Sequence, residues 1–163
     1  MEAVNKKRYY VGLLSFDLSS AFDCIDEDIL ISKLKIYGFD ENSLAWIYNY
    51  LTDRKQFVQI GNLVSDVCSI TVGSPQGSVM SPVLFIILIA DIDEWTQYAI
   101  MVGFADNNSA TIIDDTIPGM TEKIESDAKN ILEFMASNKL MANESKTTLM
   151  IFGRKNKTSN RLK

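Results

Sequence analysis

Two aspartates stand at positions where a carboxylate could hold a metal ion. Asp17 closes an apolar stretch over residues 9–18 that is typical of a largely buried strand, and Asp106 lies in a turn between two short apolar stretches. Mg²⁺ prefers hard oxygen ligands and usually takes one or two carboxylates together with waters and substrate phosphates. Two such ions about 4 Å apart can neutralise phosphates and align the attacking and leaving oxygens. If the two strands are neighbours, the pattern favours metal-assisted phosphoryl transfer.

Each carboxylate alone is weak support for a metal site, because most aspartates at strand ends cap helices or form turns. We give that ordinary interpretation to seven further aspartates: Asp23, Asp26, Asp28, Asp91, Asp93, Asp114 and Asp115. The chain contains no histidine. Ser-His-Asp and Cys-His catalysis are therefore excluded, as is every histidine-based metal site.

The composition is that of one globular domain, with 47% hydrophobic and 23% charged residues in a chain of 163. The longest apolar run, residues 83–90, is too short to span a bilayer, and no secretory signal is visible at the start. Cys24 and Cys68 lack the spacing of a metal site and read as free thiols. We therefore expect a protein without a membrane partner that works inside the cell, in the cytoplasm or nucleus.

The formal net charge of −5 is unusual for a protein that contacts nucleic acid, because phosphate contacts need Lys and Arg. Basic residues gather near the two ends of the chain: Lys6, Lys7, Arg8, Arg154, Lys155, Lys157, Arg161 and Lys163. Such runs are typical of solvated tails. We place one domain at residues 1–152 and a basic tail at residues 153–163, and we expect further basic surface to belong to segments outside this chain.

Periodicity and turn signals predict the element order β-α-α-β-β-α-β-β-α-β-β. In the first half, the expected elements are the strand over 9–18, a helix from an Asp26 cap to about residue 37, a helix over 42–53, and a hairpin of 56–60 with 63–72 around Gly61-Asn62. In the second half, they are a helix capped by Ser81 that runs to about residue 96, a hairpin of 100–105 with 109–113 whose tip is 106–108, a helix over 121–138 and a strand pair near 140–152. Separate hairpins and helices indicate an α+β fold with an antiparallel sheet packed on helices.

Four segments resemble the motifs of the reverse transcriptases of non-LTR retrotransposons. The segment FDLSSAFDCIDEDILISKLKIYG (16–38), continued by YLTDRKQFVQI (50–60), resembles motif A. GSPQGSVMSPVLFIILIADI (73–92) is similar to motif B, FADN (104–107) to motif C, and NKLMANESKTTLMIF (138–152) to motif D. The motifs stand in the family's order. The resemblance implies the palm domain of an RNA-directed DNA polymerase with part of the connection to the fingers.

The resemblance implies a metal set at three positions. Asp17 would ligate two Mg²⁺ ions, Asp106 at least one, and the carbonyl of Leu18 would be a further ligand, with Mn²⁺ as a possible substitute. Lys146 would lie near the triphosphate and donate a proton to the leaving pyrophosphate. These residues would add deoxynucleotides to a primer 3′-hydroxyl.

A second set would hold the substrates. Phe22 would lie under the incoming sugar and exclude a 2′-hydroxyl by size. Pro75, Gln76 and Gly77 would let the backbone approach the template and the new base pair closely. The implied partners are an RNA (or DNA) template, a DNA primer and deoxynucleoside triphosphates, together with fingers and thumb segments of a longer polyprotein.

Position 107 departs from the family, because it is Asn where the family normally has Asp. An amide brings no negative charge to a site for divalent cations, so we expect activity to fall on the order of 10²–10³-fold, and the isolated fragment to be impaired as well. One alternative is a degenerate or repurposed palm that no longer polymerises and acts as a folded interaction module. Another is a phosphoacceptor receiver domain, which the two hairpins argue against because a receiver needs alternating βα units.

Overall fold

The structure, a computed structural model, describes residues 9–104 and 107–153. The helices are α1 (Glu27–Ile36), α2 (Glu41–Leu51), α3 (Met80–Ile89) and α4 (Ile117–Ser137). The strands are β1 (Tyr10–Asp17), β2 (Arg54–Gln56), β3 (Gln59–Ile60), β4 (Leu63–Val64), β5 (Cys68–Ile70), β6 (Ile100–Phe104), β7 (Asn107–Asp114) and β8 (Thr148–Gly153). Short 3₁₀ turns cover Ala21–Cys24, Ile92–Trp95 and Glu144–Lys146.

The central feature is a four-stranded sheet with the order β6-β7-β1-β8. Every neighbouring pair in it is antiparallel. The expected α+β class with an antiparallel sheet is thereby confirmed, and the alternating parallel order of a receiver domain is wrong for this chain. Strand β1 lies between two partners, which holds its C-terminal residue Asp17 within the sheet rather than at a frayed end.

One face of the sheet packs on the helices. Gly12 of β1 lies directly under α4, since a Cβ at that position would come within 2.5 Å of the Ile124 side chain. The main core is completed by fully buried residues of α1, α3 and α4, including Leu34, Phe85 and Phe134. Because successive residues of a strand point to opposite faces, Phe16 enters this core and Asp17 points to the other face.

The first two helices begin at aspartate caps. The Asp26 carboxylate accepts from the Ile29 amide at 3.0 Å, which confirms the predicted start of α1. Asp40 caps α2 in the same way by accepting from the Asn42 and Ser43 amides. A cap of this kind stabilises a helix by about 1 kcal/mol.

Helix α3 departs from the prediction at both ends. It begins at Met80 after Val79, and Ser81 lies inside it and donates its hydroxyl to the Pro75 carbonyl at 2.7 Å, so the predicted Ser81 cap is wrong. The helix ends at Ile89 rather than near residue 96. The physical reason lies beyond that end, where the amides of residues 97–99 turn to meet the carboxylate of Asp127 in α4. A straight helix could not make that contact.

The hairpins are correct in their turns and wrong in their extents. Ile60 pairs with Leu63 around Gly61-Asn62 as predicted, but a continuous strand over 63–72 is wrong, because β5 pairs instead with β2. Phe104 pairs with Asn107, so Asn107 belongs to β7 and not to the hairpin tip. The predicted strand pair near 140–152 is also wrong. Strand β8 pairs with β1, and Ala142 forms an isolated bridge with Leu18, the residue after β1. Both contacts lie on the edge of β1 opposite to β7.

Helix α4 begins at Ile117, four residues before the predicted start, because Thr116 caps it by accepting from the Gly119 amide at 3.1 Å. Within the ranges 9–104 and 107–153, no helix is both long and apolar enough to cross a membrane. The predicted basic tail covers residues 153–163, of which Gly153 belongs to β8. Residues 154–163 and the basic residues 6–8 lie outside the described residues.

Candidate active site

Asp17 occupies the end of the central strand. It pairs across the sheet with Asn107 of β7, and its backbone carbonyl accepts from the Asn143 amide at 2.8 Å on the other side. The side chain is 10% exposed. A carboxylate that is buried to this degree needs a compensating cation or several donors, because desolvation penalises its charged form.

Lys146 brings a cation to that carboxylate. Its Nζ lies 2.8 Å from Oδ2 of Asp17, and its side chain is 63% exposed while that of Asp17 is nearly covered. The 3₁₀ turn Glu144–Lys146 presents the lysine immediately before β8. The sequence placed Lys146 near a triphosphate, and the structure brings it to the principal candidate metal ligand.

Leu18 continues β1 in a single antiparallel bridge with Ala142. The hydrogen bonds of this bridge flank the pair, from the Asn143 amide to the Asp17 carbonyl and from the Ser19 amide to the Met141 carbonyl, both at 2.8 Å. In such a pair the N–H and C=O of Leu18 itself point to the other edge of the strand. That edge is the side on which β7 lies, so the carbonyl direction is compatible with the predicted ligand role.

Asp106 lies outside the described residues, as does Ala105. The flanking register is described: Phe104 pairs with Asn107, and Asn107 pairs with Asp17. The connection between β6 and β7 therefore starts beside Asp17. Within the described ranges, no three Asp, Glu or Cys side chains converge into a group that could hold a metal.

Phe22 lies in the 3₁₀ turn after Asp17 and is partly buried. Its ring centroid lies 5.4 Å from that of Phe85 in α3. Its carbonyl accepts from the Ser74 amide at 2.8 Å, and the Ile25 carbonyl accepts from the Gly73 amide at 2.9 Å. These two backbone bonds join the segment after Asp17 to the loop that contains Pro75, Gln76 and Gly77.

Gly73 is required at this junction. Its φ is +89°, and a Cβ there would lie 2.8 Å from the Cα of Asp23. Gly77 also has a positive φ, +78°, but the space around it is open. The sequence indicated Pro75, Gln76 and Gly77 and missed Gly73, although Gly73 opens the same GSPQGS string and is the glycine that backbone packing demands.

Gln76 reaches back to the segment after Asp17. Its Nε2 donates to Oδ1 of Asp23 at 3.0 Å, and both side chains are exposed. The sequence assigned Asp23 an ordinary turn role, and Asp23 does lie in the 3₁₀ turn Ala21–Cys24, but its contact with Gln76 was not predicted. Asp23, Arg54, Ser74, Pro75 and Gln76 line one cavity of about 490 Å³.

Arg54 is a second residue that the sequence did not single out. Its guanidinium donates to the carbonyls of Leu51 at 2.8 Å, Gly73 at 2.6 Å and Val72 at 3.2 Å. Arg54 therefore holds the start of the loop that contains Pro75, Gln76 and Gly77. The Tyr50 and Ser78 hydroxyls form a further hydrogen bond between α2 and this loop. The available signal was its place in the YLTDRKQFVQI segment.

A salt bridge joins the start of α1 to the segment that leads to Lys146. Lys139 Nζ lies 2.5 Å from Oδ2 of Asp26. Burial opposes ionisation of Asp26, but hydrogen bonds from Lys139 and from the Ile29 amide lower its pKa below the usual 3.8. The same contact raises the pKa of Lys139. This bridge helps to hold the 138–146 segment against the elements that follow Asp17.

The sequence relatives are polymerases of mobile elements. Residues 1–161 match the family described as reverse transcriptase (RNA-dependent DNA polymerase). The chain is 31% identical over 116 residues to the RNA-directed DNA polymerase from mobile element jockey of Drosophila melanogaster, which covers 71% of this chain and 12% of the relative. It is 34% identical over 92 residues to the probable RNA-directed DNA polymerase from transposon BS of the same species, which covers 56% and 10%.

A third relative is the Pol polyprotein from the type-1 retrotransposable element R2 of Popillia japonica, 26% identical over 81 residues that make up 50% of this chain and 13% of the relative. The chain thus spans about a tenth of the length of the curated relatives that it matches.

Two solved structures share the fold. The telomerase of Candida albicans, in complex with a fragment of telomeric RNA, aligns with a TM-score of 0.65 and 16% identity over 93% of this chain and 27% of that chain. The apo telomerase of Candida tropicalis, truncated from its C-terminal domain, aligns with a TM-score of 0.66 and 14% identity over 98% and 34%. These likenesses show a polymerase palm fold. The chain belongs to the reverse transcriptase (RNA-dependent DNA polymerase) family, and its relatives are enzymes of non-LTR retrotransposons.

Proposed function

We propose that this chain is the palm of an RNA-directed DNA polymerase that joins deoxynucleotides to a primer 3′-hydroxyl on an RNA or DNA template. The observation that carries the proposal is Asp17, a carboxylate held nearly buried at the end of the central strand, directly across from the start of β7. Family membership supports the reaction class. The fold supports the same conclusion, because the sheet that bears Asp17 is a polymerase palm.

The residues at this end of the sheet fit a divalent cation. Asp17 offers a carboxylate that already contacts the Lys146 ammonium, which supports a cation at Oδ2. Asp17, the Leu18 carbonyl and Asp106 would hold two Mg²⁺ ions, or Mn²⁺ in their place. When bound, such ions neutralise phosphate charge and align the attacking and leaving oxygens.

Lys146 has a defined part in this arrangement. Because its side chain is long and 63% exposed, Lys146 could move from Asp17 to contact a triphosphate if Asp17 held a divalent cation. In that position it would donate a proton to the leaving pyrophosphate.

Phe22 would select the sugar. Its ring packs on Phe85, and its backbone is tied to Ser74, so the ring cannot withdraw easily from a substrate placed above it. A ring held in this way would exclude a 2′-hydroxyl by size, which corresponds to the choice of deoxynucleotides.

Asn107 favours a second candidate function, that of a palm that has lost polymerisation and serves as a folded interaction module. Its amide stands across from Asp17 and carries no charge. The first proposal requires that Asp17 and Asp106 suffice for measurable activity.

A primer-extension assay tests the proposal. Purified chain is incubated with a DNA primer on an RNA template, deoxynucleoside triphosphates and Mg²⁺, with an EDTA-treated sample as the control. We expect templated extension that stops without the metal and falls at least about tenfold when ribonucleotides replace deoxynucleotides. Extension that does not depend on the metal would count against the site. No extension either by this chain or by an Asn107→Asp variant would favour the interaction module.

A further inference from the structure

Asp23 and Gln76 form a hydrogen bond between two segments that are 53 positions apart in the sequence. Asp23 follows Phe22 in the 3₁₀ turn, and Gln76 lies at the centre of the loop before α3. Gln76 Nε2 lies 3.0 Å from Oδ1 of Asp23. The pair lines the same cavity as Arg54 and Pro75.

Backbone contacts fix the distance that this bond spans. Gly73 packs against the Asp23 backbone closely enough to exclude a Cβ, and the Ser74 and Gly73 amides donate to the Phe22 and Ile25 carbonyls. Arg54 holds the Gly73 carbonyl at 2.6 Å from the opposite side. Because the two backbones are already ordered, only the entropy of the two side chains is lost when they meet. The bond is therefore part of a set of contacts that joins the 3₁₀ turn to the loop before α3.

The chemistry of the two groups sets the orientation of the amide. An ionised carboxylate only accepts hydrogen bonds, whereas a glutamine side chain has a donor end and an acceptor end. Turning the Gln76 carbonyl oxygen toward Asp23 would place two acceptors face to face. Asp23 therefore holds Nε2 and leaves Oε1 directed elsewhere as an acceptor.

We propose that Asp23 is a positioning residue, which orients the amide of Gln76 so that its Oε1 accepts from a donor group of the incoming nucleotide or the new base pair. The inference rests on the proposed polymerase function, because it takes its substrate class from there. Asp23 itself touches no substrate in this arrangement. It acts through Gln76.

A purely structural role for Asp23 would show itself in stability alone. Asp23→Asn is the informative change, because it keeps the size and an acceptor oxygen but adds a donor, so that either end of Gln76 can face it. We expect Asp23→Asn to unfold at the same temperature as the parent chain and still lose the single amide orientation. Asp23→Ala removes the partner altogether.

The orientation can be observed without any activity. In a ¹H–¹⁵N spectrum of the full chain, the side-chain NH₂ pair of Gln76 is identified by its loss in Gln76→Leu. We expect its signals to shift in both Asp23→Ala and Asp23→Asn and to stay in place in Asp28→Asn, a matched change at an exposed acid of α1. Unchanged Gln76 signals in Asp23→Ala would overturn the proposal.

A double-mutant cycle on primer extension gives the functional test. We expect Asp23→Ala and Gln76→Ala each to raise KM for the deoxynucleotide about threefold to tenfold with a smaller change in kcat, and the double variant to add nothing further. Factors that multiply in the double variant would overturn the proposal. If neither the parent chain nor its Asn107→Asp variant extends a primer, the proposed function fails, while the spectrum still decides whether the Gln76 amide is held by Asp23.

Discussion

The Asp17 carboxylate sits between two environments of opposite character. Behind it lie the core residues of β1 and the helices, and in front of it lie the Lys146 ammonium and the start of β7. A charge at such a boundary is stabilised by a nearby cation more strongly than a fully solvated charge would be. The Lys146 ammonium supplies such a cation to Asp17 in this structure.

Asn107 is a residue at which one more negative charge should increase the affinity of the site for Mg²⁺. Asn107→Asp places a further carboxylate across from Asp17, at the position that follows Asp106 in the sequence. We expect Mg²⁺-dependent primer extension to rise, on the order of 10²–10³-fold if the amide is the main defect. The rate of extension at saturating deoxynucleotide is the measurement.

Asn62→Asp in the exposed turn between β3 and β4 is the matched control for that variant. It adds the same charge in a separate two-stranded sheet, outside the sheet that bears Asp17, so it should leave the rate unchanged. No gain from Asn107→Asp would show that the amide is not what limits this chain.

At the scale of elements, one buried carboxylate holds the segment that leads into the hairpin of β6 and β7. Asp127 of α4 is 0% exposed, and its oxygens accept from the amides of Gln97, Tyr98 and Ala99 at 2.7–3.0 Å. These three bonds fix the residues just before β6. The hairpin that ends beside Asp17 is thereby anchored to the longest helix.

Asp127→Asn should therefore destabilise the fold. The amide nitrogen of Asn would face backbone N–H donors in place of an acceptor, so at least one buried donor loses its partner. We expect the free energy of unfolding to fall by about 2–4 kcal/mol in a urea titration. Glu125→Gln, an exposed change on the same helix, should leave it within about 0.5 kcal/mol, and an equal loss in both variants would show that the network is not the cause.

The junction of β7 with α4 should give a pH-dependent contribution to stability. Hydrogen bonds from the Lys123 ammonium and from Thr116 lower the pKa of Asp114 from 3.8 to about 2. A carboxyl whose pKa is lower in the folded state stabilises the fold above its unfolded pKa and loses this effect as pH falls. The contribution should be complete above about pH 4 and fade toward pH 2.

Thermal unfolding of Asp114→Asn against the parent chain checks that sign. The difference in Tm between the two should be largest near neutral pH and should shrink between about pH 4 and pH 2. A difference that stays constant over this range would show that the Asp114–Lys123 pair does not contribute through ionisation.

At the scale of the whole molecule, the sequence was sufficient for the elements that have strong local signals. The apolar run that ends at Asp17, the Asp26 cap and the Gly61-Asn62 turn were each predicted and confirmed. The end of α3 was not predicted, because it depends on a contact with Asp127 about 30 residues away. The contact between Asp23 and Gln76 was not predicted for the same reason, since the two residues are remote in sequence.

The net charge of −5 should weaken the affinity of the whole chain for nucleic acid. Phosphate contacts supply most of non-specific affinity, and an acidic chain offers few of them. We expect the chain to bind a primer–template with a Kd weaker than about 10⁻⁶ M at physiological salt. Fluorescence anisotropy over a salt series measures this. Tight binding that persists in high salt would contradict the expectation.

Loss of the Asp17 carboxylate tests the central claim most directly. Asp17→Asn keeps the size of the side chain and removes its charge, and Asp28→Asn makes the same change on the exposed surface of α1. Both are measured for Mg²⁺-dependent primer extension in the Asn107→Asp background. We predict that Asp17→Asn lowers the rate by at least about 10³-fold while Asp28→Asn keeps it. An Asp17→Asn variant that extends primers at the rate of its parent would contradict the account.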